Sequence, residues 1–157
     1  MIRRRAFFLL PSALALVLLE GCATAPTGPV GLNLTVHAGM DINPDPDGRA
    51  TPVPIRLYQL TDIARFDQTN FYALVTHGQD ALGADLLGSE EFVVIPGTAR
   101  TINRTLAAGT RYVGIAVLFR DVAHADWRAT APVSASGPTD LTLTISGLRA
   151  TLAEGSG

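Results

Sequence analysis

The sequence predicts a mainly-β protein, a two-sheet β-sandwich of seven or eight strands with a small helical insertion after the second strand. Three observations predict it. Short segments alternate apolar and polar residues, as half-buried strands do. Turn residues separate them at close intervals. One stretch, near 61–80, changes to helical spacing.

Leu32 to Ala38 (LNLTVHA) alternates and forms the first strand. Gly39 to Pro54 follows, with four prolines and several Asn, Asp and Gly residues, so it is a long irregular loop. Loops of that length in compact domains tend to carry function. Ile55 to Leu60 (IRLYQL) alternates again and forms strand two. Thr61-Asp62 marks a helix start, with Thr61 as the N-cap. Ile63, Phe66, Phe71, Leu74, Val75, Leu82 and Leu86 recur at roughly helical spacing, with Gly78 and Gly83 as breaks, which predicts two short helices near 61–68 and 70–80. Glu91 to Ile95 is strand three, and Pro96-Gly97 turns the chain. Thr101 to Leu106 is strand four. Arg111 to Arg120 (RYVGIAVLFR) is almost wholly apolar inside its ends, the pattern of a central strand buried on both faces. Asp126 to Pro132 and Leu141 to Ser146 add two more, and Leu148 to Leu152 is a closing edge strand.

The chain has 157 residues, a net charge of -2 and no Lys; its 12 basic side chains are all Arg. Near-neutral charge excludes a nucleic-acid binder, which needs a basic face. The lone Cys22 excludes an internal disulfide or a Cys-based zinc cluster. Mean hydropathy is +0.26, but much of that comes from one end. Arg3, Arg4 and Arg5 precede an apolar run from Ala6 to Leu19, 14 residues long. A bilayer span needs about 20, so the segment reads as a secretory signal peptide. Leu19-Glu20-Gly21-Cys22 follows and resembles a bacterial lipobox. Cys22 is then the expected lipidation site, the first residue of a mature chain with 9 Arg against 13 acidic residues. Ala23, rather than Asp, after the Cys favours sorting to the outer membrane. The expected organisation is a signal peptide at 1–21, a Pro/Gly-rich tether at 22–31, the sandwich at 32–152 and a tail at 153–157.

No catalytic constellation is present. His37, His77 and His124 fall in three separate segments, without HExxH or GxSxG spacing. Asn43, Asp45, Asp47 and Gly48 match the first half of a calcium-binding EF-hand loop. Its first position is Asn, and the bidentate Glu position falls on Pro54. A turn-rich acidic loop stiffened by Pro is the better reading. Asp62, Asp80, Asp85, Glu90 and Glu91 have no motif that pairs them across a cleft. Trp127 reads as a core anchor first and as a partner-facing aromatic second. No catalytic residue, metal ligand or cofactor is expected.

Several segments, taken in order, resemble one family. They are the lipobox, Ile42-Asn43-Pro44-Asp45, Gly48-Arg49, Pro52-Val53, Ile55 to Leu60, Phe71-Tyr72-Ala73-Leu74, Leu82 to Leu87, Pro96-Gly97, Arg111 to Ala116, Phe119-Arg120-Asp121 and Ala125 to Arg128. Together they are similar to the outer-membrane lipoproteins of type VI secretion systems, the TssJ family. The resemblance implies a transthyretin-like sandwich that faces the periplasm, held in the outer membrane by acyl chains on Cys22. It implies a structural role: binding the periplasmic C-terminal domain of the inner-membrane component TssM. The contact it implies lies on the loop between the first two strands, here Met40, Asp41, Ile42, Asn43, Pro44, Asp45, Asp47, Gly48, Arg49 and Pro52. The residues alone leave a second reading, a periplasmic small-ligand- or calcium-binding sandwich lipoprotein.

Overall fold

The structure, a computed structural model, describes residues 28–155. The predicted leader, Cys22 and most of the tether lie outside the described residues. Eight strands form two four-stranded sheets. The strands are β1 (Val30–Ala38), β2 (Val53–Leu60), β3 (Leu86–Val94), β4 (Ala99–Leu106), β5 (Tyr112–Val117), β6 (Arg128–Pro132), β7 (Thr139–Ser146) and β8 (Arg149–Glu154). One sheet has the order β4-β1-β7-β8, the other β3-β2-β5-β6. Pairing is antiparallel except between β1 and β7, which run parallel. The predicted fold class and the place of its helical insertion are what the structure contains.

Alternation explains the main core. Leu32, Leu34 and Val36 of β1 meet Leu141, Leu143 and Ile145 of β7 on the inner face of one sheet. Val53, Ile55 and Leu57 of β2 face them with Val113, Ile115 and Val117 of β5. The alternate positions of the first sheet, Asn33, Thr35, Thr142 and Thr144, point outward and carry the polar half of the pattern.

The second sheet is buried on both faces over part of β2 and β5, because two helices cover that part of its outer side. These are α1 (Ala64–Gln68) and α2 (Phe71–Leu82), between β2 and β3. They form a second core from Tyr58, Leu60, Phe66, Leu74, Leu82 and Ala116. That layer is why β5 reads as continuously apolar. Gly114 makes the fit possible: a Cβ there would come within 2.9 Å of the Phe66 ring. The Tyr58 and Phe66 rings meet edge-on at 5.3 Å, and burial pushes the Tyr58 phenol pKa up.

Several boundaries differ from the predicted ones. α1 begins at Ala64, not Thr61; Asp62 caps the Ala64 amide, while the Thr61 hydroxyl turns toward Asp85. Asn70 caps α2 by accepting from the Ala73 amide. α2 continues through Gly78 to Leu82, with a kink at His77. β3 starts five residues before Glu91, since Gly88 and Ser89 pair with Gln59 and Tyr58. β2 starts at Val53 and includes Pro54. In a strand, a residue's N and O point to the same side. The Pro54 carbonyl accepts from Leu118, so its missing N–H faces a region beyond the last β2–β5 pair, Ile55 with Val117. Asp126 stands outside β6 and bridges to Arg149 of β8. Trp127 is half-buried against both cores, edge-on to Phe71 at 5.1 Å and beneath the Arg128 guanidinium at 4.4 Å. The core-anchor reading of Trp127 is the one observed.

Candidate functional site

The connection from Gly39 to Pro52 closes one end of the sandwich. Its base is built like core. Ile42 is fully buried and belongs to the main hydrophobic cluster. Asn43 is 3% exposed and sits in the left-handed region, at φ 48°. Asn is among the few residues besides Gly that tolerate this conformation.

Asn43 also engages all four of its polar atoms with three neighbouring segments. Its side-chain amide donates to the Thr51 hydroxyl at 2.9 Å and the Pro52 carbonyl at 3.0 Å. Its side-chain carbonyl accepts from the Arg120 amide at 2.8 Å. Its backbone N–H donates to the Gly147 carbonyl at 3.0 Å, and its backbone carbonyl accepts from the Thr51 hydroxyl at 2.6 Å. The side chain thus ties the loop to its own return path and to the β5–β6 connection, and the backbone N–H ties it to the β7–β8 turn.

The tip folds on itself. The Asp45 carboxylate accepts from the Asp47 and Arg49 amides at 2.9 and 2.8 Å. The Asp45 carbonyl accepts from the Gly48 amide at 2.9 Å, and the Asp45 amide donates to the Arg49 carbonyl at 2.8 Å. Gly48 has φ 79° with open space around it, a turn position that L side chains occupy at a cost. Arg49 pairs with Asp47 at 3.1 Å, both side chains at least 70% exposed. Such a pair contributes little to stability and remains available to a partner.

The predicted residues therefore separate into two groups. Ile42, Asn43 and the half-buried Pro44 and Asp45 hold the loop; Met40, Asp41, Asp47, Gly48, Arg49 and Pro52 are exposed. The predicted contact includes neither Thr51, the partner of Asn43, nor Arg120 and Asp121, which flank the tip. With Pro44, Asp45, Pro46 and Leu148, those two line an open depression of about 460 Å³. Their signals in the sequence are their position after an apolar strand and their place in the family-like segment Phe119-Arg120-Asp121.

The carboxylates do not converge on a cation site. Asp45 is committed to backbone amides, Asp47 to Arg49, and Asp41 accepts from the Ser146 hydroxyl at 3.3 Å. Among the described residues, no three His, Cys, Asp or Glu side chains are grouped to hold a metal. Of the other acidic candidates, Glu91 pairs with Arg56, Glu90 with Arg104 and Asp85 with Arg65, and Asp62 accepts from the Ala64 amide. His124 pairs with Asp121, His77 with the Thr76 hydroxyl, and His37 is exposed on β1. Among the described residues, no helix is long and apolar enough to cross a membrane.

The described residues form a β-sandwich with one braced, charged loop at its end. Residues 31–148 match the family described as type VI secretion lipoprotein, VasD, EvfM, TssJ. The chain belongs to that family of secretion-system lipoproteins. It is similar to the type VI lipoprotein TssJ1 of Pseudomonas aeruginosa, at 31% identity and a TM-score of 0.77, over 82% of this chain and 98% of that one. A chain in a structure described as the type VI protein TssM C-terminal domain from EAEC is 25% identical. It has a TM-score of 0.67 over 80% of this chain and 98% of its own. A chain of a type VI membrane complex is 26% identical, with a TM-score of 0.69 over 81% and 98%. Comparison with curated protein sequences returned no match.

Proposed function

We propose that this lipoprotein is held in the outer membrane through acylated Cys22 and binds the periplasmic C-terminal domain of a TssM-type inner-membrane protein. It thereby ties the envelope-spanning secretion complex to the outer membrane. The observation that carries this reading is the braced loop: its base is fixed by Asn43, and its exposed tip presents Asp47, Gly48 and Arg49. A loop ordered before binding loses less entropy on binding. Charges at its rim set specificity and association rate more than affinity.

The chain direction supports the same arrangement. β1 begins at Val30 and delivers the loop beyond Ala38. At roughly 3.3 Å per residue, the strand puts about 26 Å between the two ends. An anchor at Cys22 thus leaves the loop on the end of the domain remote from the tether. Family membership and the relatives' described settings, a TssM C-terminal domain and a type VI membrane complex, support the choice of partner.

The test is co-purification of the full chain with the periplasmic domain of the TssM-type protein from the same cells. Replacing residues 45–49 by Gly/Ser is expected to abolish capture while the sandwich stays folded. Undiminished capture would refute the loop assignment. For the anchor, Cys22→Ser is expected to end palmitate labelling and release the protein from outer-membrane fractions; persistent labelling would exclude Cys22 as the site.

A further inference from the structure

The helices cover the outer face of the second sheet unevenly. They seal it over Tyr58, Leu60 and Ala116. Arg56 marks the limit of the cover, donating to the Val75 carbonyl of α2 and to Glu91, both at 2.6 Å. Past Arg56, toward the loop, the next outward pair is Pro54 with Val93, and Ile95 follows. Val93 and Ile95 are 51% and 58% exposed. Ile95 opens a turn closed by the Thr98 amide, which donates to its carbonyl at 3.3 Å. Met40, 79% exposed, lies across Gly97 of the same turn, so closely that a Cβ on Gly97 would collide with its sulfur. The Gly97 amide donates to the Gly39 carbonyl at 3.0 Å, which fixes this turn to the first residues of the loop.

Scattered exposed apolar side chains are ordinary on a protein surface; several gathered beside a charged loop mark a contact. The surrounding charge indicates what fits. Around the loop, Asp41, Asp45, Asp47 and Asp121 stand against Arg49 and Arg120, a net of −2, while Arg100 lies beyond the turn over the Phe92 ring. Asp41 has an uncharged partner in the Ser146 hydroxyl.

We infer that Met40, Val93 and Ile95 form an apolar shelf that extends the loop contact, and that a segment of the partner protein seats an apolar side chain on it, flanked by a basic residue facing the loop carboxylates. This inference rests on the proposed partner-binding role of the loop. An apolar anchor beside a polar rim is the arrangement in which a few side chains carry most of the binding energy.

The test measures affinity of full-length protein in detergent for the periplasmic domain of the TssM-type partner. Ile95→Asp and Met40→Asp are each expected to weaken Kd roughly tenfold or more. Ile95→Ser, gentler to the fold, is expected to weaken it by a smaller factor. Tyr72→Asp, at a large exposed residue on α2, is expected to leave it unchanged. Matching melting temperatures would show that folding is intact. Wild-type affinity in all three shelf variants, with loss in the 45–49 replacement, would overturn the shelf and keep the loop. Absence of binding by the wild-type protein would overturn the partner reading and the shelf with it. Loss of self-association in sedimentation, with partner binding intact, would overturn it by assigning the shelf to a second copy.

Discussion

The base and the tip of the β1–β2 loop are a few residues apart and are built on opposite principles. At the base, Ile42 is buried in the core and Asn43 has its polar atoms paired within the protein. At the tip, the Asp47 and Arg49 side chains pair only in the open, and a Cβ on Gly48 would meet nothing. Stability is therefore concentrated in residues a partner cannot reach, and the reachable residues contribute almost none of it. Substitutions in the two parts should separate folding from binding.

The largest effect is expected at Ile42→Ala, which removes a fully buried side chain. It should cost about 2–5 kcal/mol, read as a lowered midpoint in denaturant. Asn43→Ala comes next. It strands the Arg120 amide, removes the donor to the Pro52 carbonyl and puts Ala in the left-handed region. A cost of about 2–3 kcal/mol is expected, with faster amide exchange at Arg120; an unchanged melting curve would mean that the Asn43 network does not brace the loop. Gly48→Ala should cost about 1 kcal/mol, from backbone strain alone. Asp47→Ala should change stability by less than about 0.5 kcal/mol, yet slow association with the partner, and raised salt should remove much of that difference. A stability loss at Asp47 as large as that at Asn43 would erase the division between base and tip.

Much of this was legible in the sequence, for physical reasons that can be named. β1 and β7 alternate cleanly because each has one buried and one exposed face. β5 was readable as buried on both sides, although the α1–α2 layer that buries its second face could be seen only as a helical pattern. The start of β3 was hidden because Gly88, Ser89 and Glu90 are poor strand formers, and their pairing with β2 overrides local preference. Pro54 concealed the start of β2 by standing where its missing N–H is harmless. The loop's extent and stiffness followed from its prolines and Asp residues, and the turn-forming reading of Asp45 matches its two backbone hydrogen bonds. The split between base and tip was not legible. It depends on contacts with Arg120 and Gly147, far away in sequence, that composition does not encode.

Hydrogen exchange along the full chain, with and without the TssM-type periplasmic domain, tests the central claim most directly. In the free protein, the Asn43 and Thr51 amides, bonded to Gly147 and Ile42, are expected to be protected already. Binding is expected to add protection at Asp47, Gly48 and Arg49 and to leave Asn43 and Thr51 little changed. Protection gained on the helical insertion or the outer face of the first sheet, with the 45–49 amides unaffected, would contradict the account.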